Sequence, residues 1–291
     1  MSATTTEKKD SKKVQRLKQQ LIQLHPWHIK VDLCEGLSTE YTQHLPADQL
    51  PAHDGVVTFD DKQQRFKSMI GSVYRDGLGG KSFLDCACNC GAYCLWARDL
   101  GAKRVFGFDV REHWIRQAKF LKKHRQAESG GVKFKVCDLY DFPKLKQANF
   151  DITYFRGIFY HLPDPIRGLK IAADATNELL YLDTATVDLP EGENFSGGLM
   201  ASYEGTKSPM SGVYGMNWYP TGHKVLRHIL QWMGFCEVKV LWQWKDKNAR
   251  ADQGALAAHK NRMGILASKV PGLIRHRKDI FQDELDKLKA N

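Results

Sequence analysis

From Lys81 onward, short apolar runs alternate with segments of helical length. Strands buried on both faces read as near-continuous apolar runs, and helices lying on a sheet read as amphipathic stretches, so this alternation predicts a covered parallel sheet. The runs place strands at Ser82–Cys86, Arg104–Phe108, Lys133–Cys137, Phe150–Phe155 and Leu179–Thr184. Helices are expected between them at Tyr93–Leu100, Glu112–Arg125 and Pro165–Asp174. A further helix, Thr221–Met233, leads into strands Cys236–Trp242 and Arg262–Ser268. The expected fold class is α/β: a seven-stranded, mostly parallel sheet with helices on both faces and an N-terminal helical extension.

Upstream, a polar and disordered Met1–Asp10 is expected to precede an accessory amphipathic helix marked by Val14, Leu17, Leu21 and Leu24. The pattern from His25 to Asp61 is irregular, with Pro26, Pro46 and Pro51, and predicts loops and short strands covering a pocket. A helix at about Lys62–Tyr74 follows. The expected organisation is a basic arm and helix over 1–24, a cap segment over 25–76, the main domain over 77–270 with an insertion at about 188–218, and a C-terminal helix over 271–291.

A chain of 291 residues suits one generous domain better than two equal ones. No apolar run approaches the roughly 18 residues that cross a bilayer, and the first residues lack the apolar block of a secretory signal. No membrane partner and a cytoplasmic location are therefore expected. Four of the seven cysteines, Cys86, Cys88, Cys90 and Cys94, fall within nine residues, where mutual disulfides would be strained. Their spacing lacks the C-x-x-C pairs of structural zinc sites, so they are read as small residues filling a tight turn, with no metal. The net charge of +10 attracts anions of any kind. Part of it lies on Lys8, Lys9, Lys12, Lys13, Arg16 and Lys18, and part on the helix carrying Arg111, Arg116, Lys119, Lys122, Lys123 and Arg125. A solvated face and an RNA-binding surface both account for it.

The chemistry concentrates at strand ends. The first strand runs into Asp85-Cys86-Ala87-Cys88-Asn89-Cys90-Gly91, and Ala87, Asn89 and Gly91 give the small size or tolerance of positive φ that close approach of a ligand requires. This stretch resembles the L-D-x-G-x-G-x-G motif of class I S-adenosylmethionine-dependent methyltransferases, with Ala87 and Asn89 replacing two glycines. Asp109 closes the next strand, 18 residues beyond Gly91, where a carboxylate accepts hydrogen bonds from both ribose hydroxyls of an adenosine cofactor. The resemblance implies a Rossmann-like sheet and S-adenosyl-L-methionine as cofactor. Asp85 would then lie near the cofactor's charged portion, Asp138 and Leu139 at the adenine, and Val110 and Arg156 beside the same pocket. Asp85 and Asp138 also read as ordinary turn-capping aspartates.

The second motif is Gly157-Ile158-Phe159-Tyr160-His161-Leu162-Pro163-Asp164-Pro165. It resembles the G-x-x-Y-H-L-x-D-P segment of a subgroup that includes bacterial tRNA wobble-uridine (mo5U) carboxymethyltransferases. Trp27-His28, Asp54-Gly55-Val56 and Asn217-Trp218-Tyr219-Pro220 match as well, so the resemblance runs from about His25 to Lys269. In that subgroup a tyrosine, a lysine and an arginine read a carboxylate on the transferred group. Tyr160 and Arg262 match the first and last, and Lys62 is a loose candidate for the lysine, which would imply carboxy-S-adenosyl-L-methionine as the cofactor. An acidic acceptor, or a tie between the last strand and the sheet, accounts equally for Tyr160 and Arg262.

His161 is the candidate general base, with Tyr160 beside it, although a histidine at a strand end also serves to anchor the next loop. Tyr154, Phe155, Phe159, Tyr160, Tyr203, Tyr214, Trp218 and Tyr219 gather near the expected rim, and Tyr160, Tyr203, Trp218 and Arg262 are the candidate acceptor contacts. The glycine-rich insertion Glu191–Gly215 is expected to be a mobile lid. Three functions fit: methyl transfer to an oxygen or nitrogen of a small-molecule acceptor, modification of a tRNA wobble uridine, and a non-catalytic binding protein that kept the fold.

Overall fold

The computed structural model describes residues 3–55, 57–187, 197–244 and 261–279, with side chains from Lys12 onward. The helices are α1 (Ala3–Gln23), α2 (Gln63–Gly71), α3 (Ala92–Asp99), α4 (Glu112–His124), α5 (Pro165–Asp174) and α6 (His223–Trp232). The strands are β1 (Ser82–Cys86), β2 (Arg104–Asp109), β3 (Val132–Val136), β4 (Phe150–Arg156), β5 (Thr176–Ala185), β6 (Leu199–Tyr203), β7 (Met216–Pro220), β8 (Glu237–Trp244) and β9 (Arg262–Ser268). Seven of them form one sheet in the order β3-β2-β1-β4-β5-β9-β8. The first five are parallel, and β9 runs antiparallel to both β5 and β8. All seven strands expected for the main sheet are present.

The central strands serve two cores because their side chains alternate between faces. On β1, Phe83 joins the cluster beneath α2, α3 and α4, while Leu84 and Cys86 join the cluster beneath α5 and α6. The α5 boundary follows from local chemistry: Pro165 opens the helix and the Asp164 carboxylate accepts from the Arg167 amide at 3.0 Å. The order of the strands reverses direction between β1 and β4, and in open α/β sheets ligands bind at the carboxyl ends beside that reversal.

Several expectations are corrected. The α1 helix begins at Ala3, so most of the tail expected to be disordered is helical, and α1 belongs to the core. Leu17 and Leu21 are fully buried, and the Trp27 indole donates to the Leu21 carbonyl at 2.9 Å. The cap segment has short 3₁₀ turns and isolated bridges, Ile29 to Asp60 and Asp32 to Ser38, in place of short strands. The described part of the insertion is a two-stranded antiparallel sheet, β6 with β7, pairing Leu199 with Pro220 through Tyr203 with Met216. Residues 188–196 lie outside the described residues. Of the expected C-terminal helix, 271–276 form turns and 280–291 lie outside the described residues. No helix among the described residues is long and apolar enough to cross a membrane.

Candidate functional site

Beyond β1 the chain must reverse over the sheet edge, and it does so through alternating left-handed residues. Ala87, Asn89 and Gly91 have φ of 59°, 51° and 76°. A left-handed alanine is uncommon, and neighbouring contacts must hold it. The Cys88 amide donates to the Phe108 carbonyl at 2.8 Å and the Asn89 amide to Asp109 Oδ2 at 2.9 Å. Loss of two motif glycines therefore leaves the turn intact. Cys88 and Cys94 pack against Gly107, where a Cβ would come within 3.0 Å of both, and burial pushes both thiols well above the ordinary range.

Gly91 does not line the cavity. An added Cβ there would meet the Phe134 ring at 2.6 Å and Ala118 at 2.9 Å, so its hydrogen is needed for packing against α4 and β3. Gly91→Ala combines that overlap with a positive φ and is expected to cost about 1–3 kcal/mol. Thermal unfolding checks this, and an unchanged midpoint would contradict it.

Asp109 is the hinge of the site. Its Oδ2 holds the Asn89 amide and its Oδ1 the Arg111 amide at 3.0 Å, tying the turn after β1 to the turn after β2. Burial raises its pKa to about 6, against the pull of those backbone donors. Asp85 is buried in the same cavity, and burial, then the charge of Asp109, pushes it well above the carboxylate range. Two buried carboxylates facing one cavity call for hydroxyl donors and a cationic group.

At the far end of the cavity, Leu139 is a buried wall residue and Val110 a partly exposed one. The Asp138 carboxylate caps the next turn through the Tyr140 amide at 2.8 Å and also accepts from the Tyr214 hydroxyl. Residues 209–214 close over this end, and Arg111 donates to the Ser211 carbonyl at 2.9 Å. The described part of the expected lid is thus pinned to both sides of the pocket.

His161 follows β4 on a single 3₁₀ turn and lines the cavity. Its Nδ1 lies 2.8 Å from Glu204 Oε2, which also accepts from the Gly212 amide at 3.0 Å. With its amide nitrogen turned toward the acceptors, Asn217 donates to the same oxygen at 2.7 Å and to the Tyr160 carbonyl at 3.0 Å. A carboxylate so fixed keeps the proton on Nδ1 and leaves Nε2 as the basic nitrogen. Gly212 permits the approach, since a Cβ would fall 2.9 Å from His161 Cβ.

The third wall is cationic. Asp183 forms an ion pair with Arg156, Oδ2 to Nε 3.0 Å, and accepts a hydrogen bond from the Arg262 guanidinium at 2.6 Å. Burial alone would raise Asp183, but Arg262 and then Arg156 hold it below the ordinary carboxylate range. Burial, then Arg156, pushes Lys62 down to about 8. Tyr160 lies under Arg262, 5.7 Å from ring centre to guanidinium carbon.

Among the sequence candidates, Asp85, Ala87, Asn89, Asp109, Val110, Asp138, Leu139, Arg156, Tyr160, His161 and Arg262 come together around one cavity, joined by Lys62. Gly91, Tyr203 and Trp218 do not. Tyr203 is 88% exposed, and strand alternation turns its neighbour Glu204 inward instead. Trp218 sits between the buried Asn217 and Tyr219 and faces the opposite side of β7. Phe155, Phe159 and Tyr219 are core residues. The sequence reading missed Glu204, for which no motif speaks, and His28. His28 is 5% exposed and lines the cavity, and its Nδ1 has no partner among the described residues. Burial, then Lys62 and Arg156, keeps it neutral.

Residues 79–204 match the family model of a methyltransferase domain. The tRNA U34 carboxymethyltransferase of Campylobacter hominis is 32% identical over 113 residues, and that of Campylobacter concisus 32% over 114. Each match covers 38% of this chain and 38% of the relative, so the chain spans well under half the length of these curated relatives. Among solved structures, the N-terminal domain of EvdMO1, crystallised in the presence of SAH and D-fucose, aligns with a TM-score of 0.64 at 18% identity. That alignment covers 87% of this chain and 96% of the other, and it speaks for the fold. The strand order, the turn after β1 and the domain match thus agree: residues 79–204 of this chain resemble a methyltransferase domain and lie on a Rossmann-like sheet.

Proposed function

We propose that the chain is an S-adenosylmethionine-dependent methyltransferase acting on an oxygen or nitrogen of a small-molecule acceptor. The observation that carries this reading is the pairing, in one cavity, of two buried carboxylates, Asp85 and Asp109, with the oriented base His161. Asp109 would hold the ribose diol, Asp85 the charged methionine portion, and Asp138 with Leu139 the adenine. The cofactor, when bound, supplies a methyl group on a sulfonium. Residues 209–214 exclude water, and His161 Nε2 takes the proton of a hydroxyl or amine while Glu204 holds the resulting imidazolium.

Cofactor affinity should depend on pH through Asp109. Its ionised form accepts the ribose hydroxyls, and the free protein holds the proton below about 6. Binding of SAH is therefore expected to weaken about tenfold for each pH unit below 6, and calorimetry across pH 5–8 reads it. A flat profile would remove Asp109 from the ribose.

A second reading, carboxymethyl or methyl transfer to a tRNA wobble uridine, is favoured by one observation: Lys62, Tyr160 and Arg262 share a cavity wall. The names of the Campylobacter relatives support it. Mass spectrometry of the cofactor that co-purifies decides between them. Carboxy-S-adenosyl-L-methionine supports the tRNA reading, and S-adenosylmethionine or its demethylated product supports the first. Failure of calorimetry to detect SAH binding would leave the non-catalytic reading.

A further inference from the structure

Behind the cationic wall lies a second cavity of about 920 Å³, within the roughly 300–1,000 Å³ span of small-molecule sites. It shares Lys62, Tyr93, Tyr154, Arg156 and Arg262 with the first cavity, so the two meet along one partition. Its lining carries five basic side chains, Lys62, Arg65, Arg156, Arg262 and Arg277, against two acidic ones, Asp60 and Asp183. Asp183 is already divided between two guanidiniums, and Asp60 stands 3.9 Å from Lys62. Arg277 Nε is buried and has no partner among the described residues. Positive charge gathered this way in a partly dry space is costly unless an anion joins it.

The remaining walls are aromatic. Tyr181 stacks on Tyr154 at 4.9 Å and accepts the Trp242 indole hydrogen at 3.1 Å, and Trp244, 52% exposed, stands at the mouth. Flat rings beside guanidinium groups suit a planar, negatively charged molecule.

We propose that this second cavity seats the acceptor and selects a planar organic acid, its anionic group toward the arginines and its nucleophile toward the shared partition. The proposal rests on the methyltransferase reading above. Nothing in the domain match or the relatives' names assigns this cavity. The charge centres on the half-buried Arg156 and Arg262, both turned onto the buried Asp183, and such a single focus fits one anionic group better than a phosphate backbone.

The test uses the full chain saturated with SAH, titrated calorimetrically with planar aromatic carboxylates from benzoate to indole-3-carboxylate and with their methyl esters. Acids are expected to bind, with the esters at least tenfold weaker. Arg65→Gln and Trp244→Ala, both at the mouth and outside the first cavity, should weaken acid binding fivefold or more and leave SAH affinity unchanged. Equal binding of acids and esters, no binding of any acid to SAH-loaded protein, or indifference to both substitutions would overturn the proposal alone. So would a short uridine-rich RNA that binds more tightly than every acid and loses that binding in the same two variants. Failure of SAH itself to bind would sink the cofactor reading beneath it.

Discussion

Asp109→Ala is expected to lower SAH affinity at least a hundredfold. A buried carboxylate that accepts two hydroxyls makes two charge-assisted hydrogen bonds worth about 1.5–3 kcal/mol each, so losing both removes about two to four orders of magnitude. The carboxylate also holds the Asn89 and Arg111 amides, and its loss frees a turn that carries left-handed Ala87 and Asn89. Circular dichroism and the unfolding midpoint separate a loosened turn from a collapsed fold. Asp109→Asn keeps the size and removes the charge, and it should fall between the parent and the alanine variant. Parental affinity in a folded Asp109→Ala protein would mean that the diol is held elsewhere.

His161→Ala should reduce turnover of an acceptor found by screening by about 10²–10⁴-fold, the usual contribution of a placed base, with SAH affinity unchanged. Glu204→Gln tests the same pair from its other end. The glutamine keeps the contact with Asn217 and Gly212 in shape, but it no longer stabilises the imidazolium, and about 10–100-fold in kcat is expected with KM little altered. A role limited to loop anchoring predicts the reverse, a raised KM and a preserved kcat. Unaltered turnover in both variants would remove the base.

The main sheet was legible because its information is local and one-dimensional. The buried strands β1, β2, β4, β5 and β9 read as apolar runs, and Pro165 after Asp164 marks a helix start to the residue. The turn after β1 was legible as a turn but misread in part. Asn89 and Ala87 adopt the left-handed backbone expected of glycine, while Gly91, which looked like the ligand's neighbour, serves the packing of α4. The far side of the site was not legible. Glu204 reaches His161 across 43 positions of sequence, one residue past a strand too short and too exposed to show an alternation. Choosing Tyr203 for its ring picked the outward face of that strand, and the same error put Trp218 at the pocket. The second cavity was invisible as well, since α2, β4, β5 and β8 each contribute a few side chains, and β9 Arg262, that only the topology assembles.

The central claim is that the cavity between the turn after β1 and the end of β2 holds an adenosine cofactor. Titration calorimetry of the full chain with SAH at pH 7.5 tests it most directly. The account predicts saturable binding of one SAH per chain. Absence of binding, or binding undiminished in folded Asp109→Ala, would contradict it.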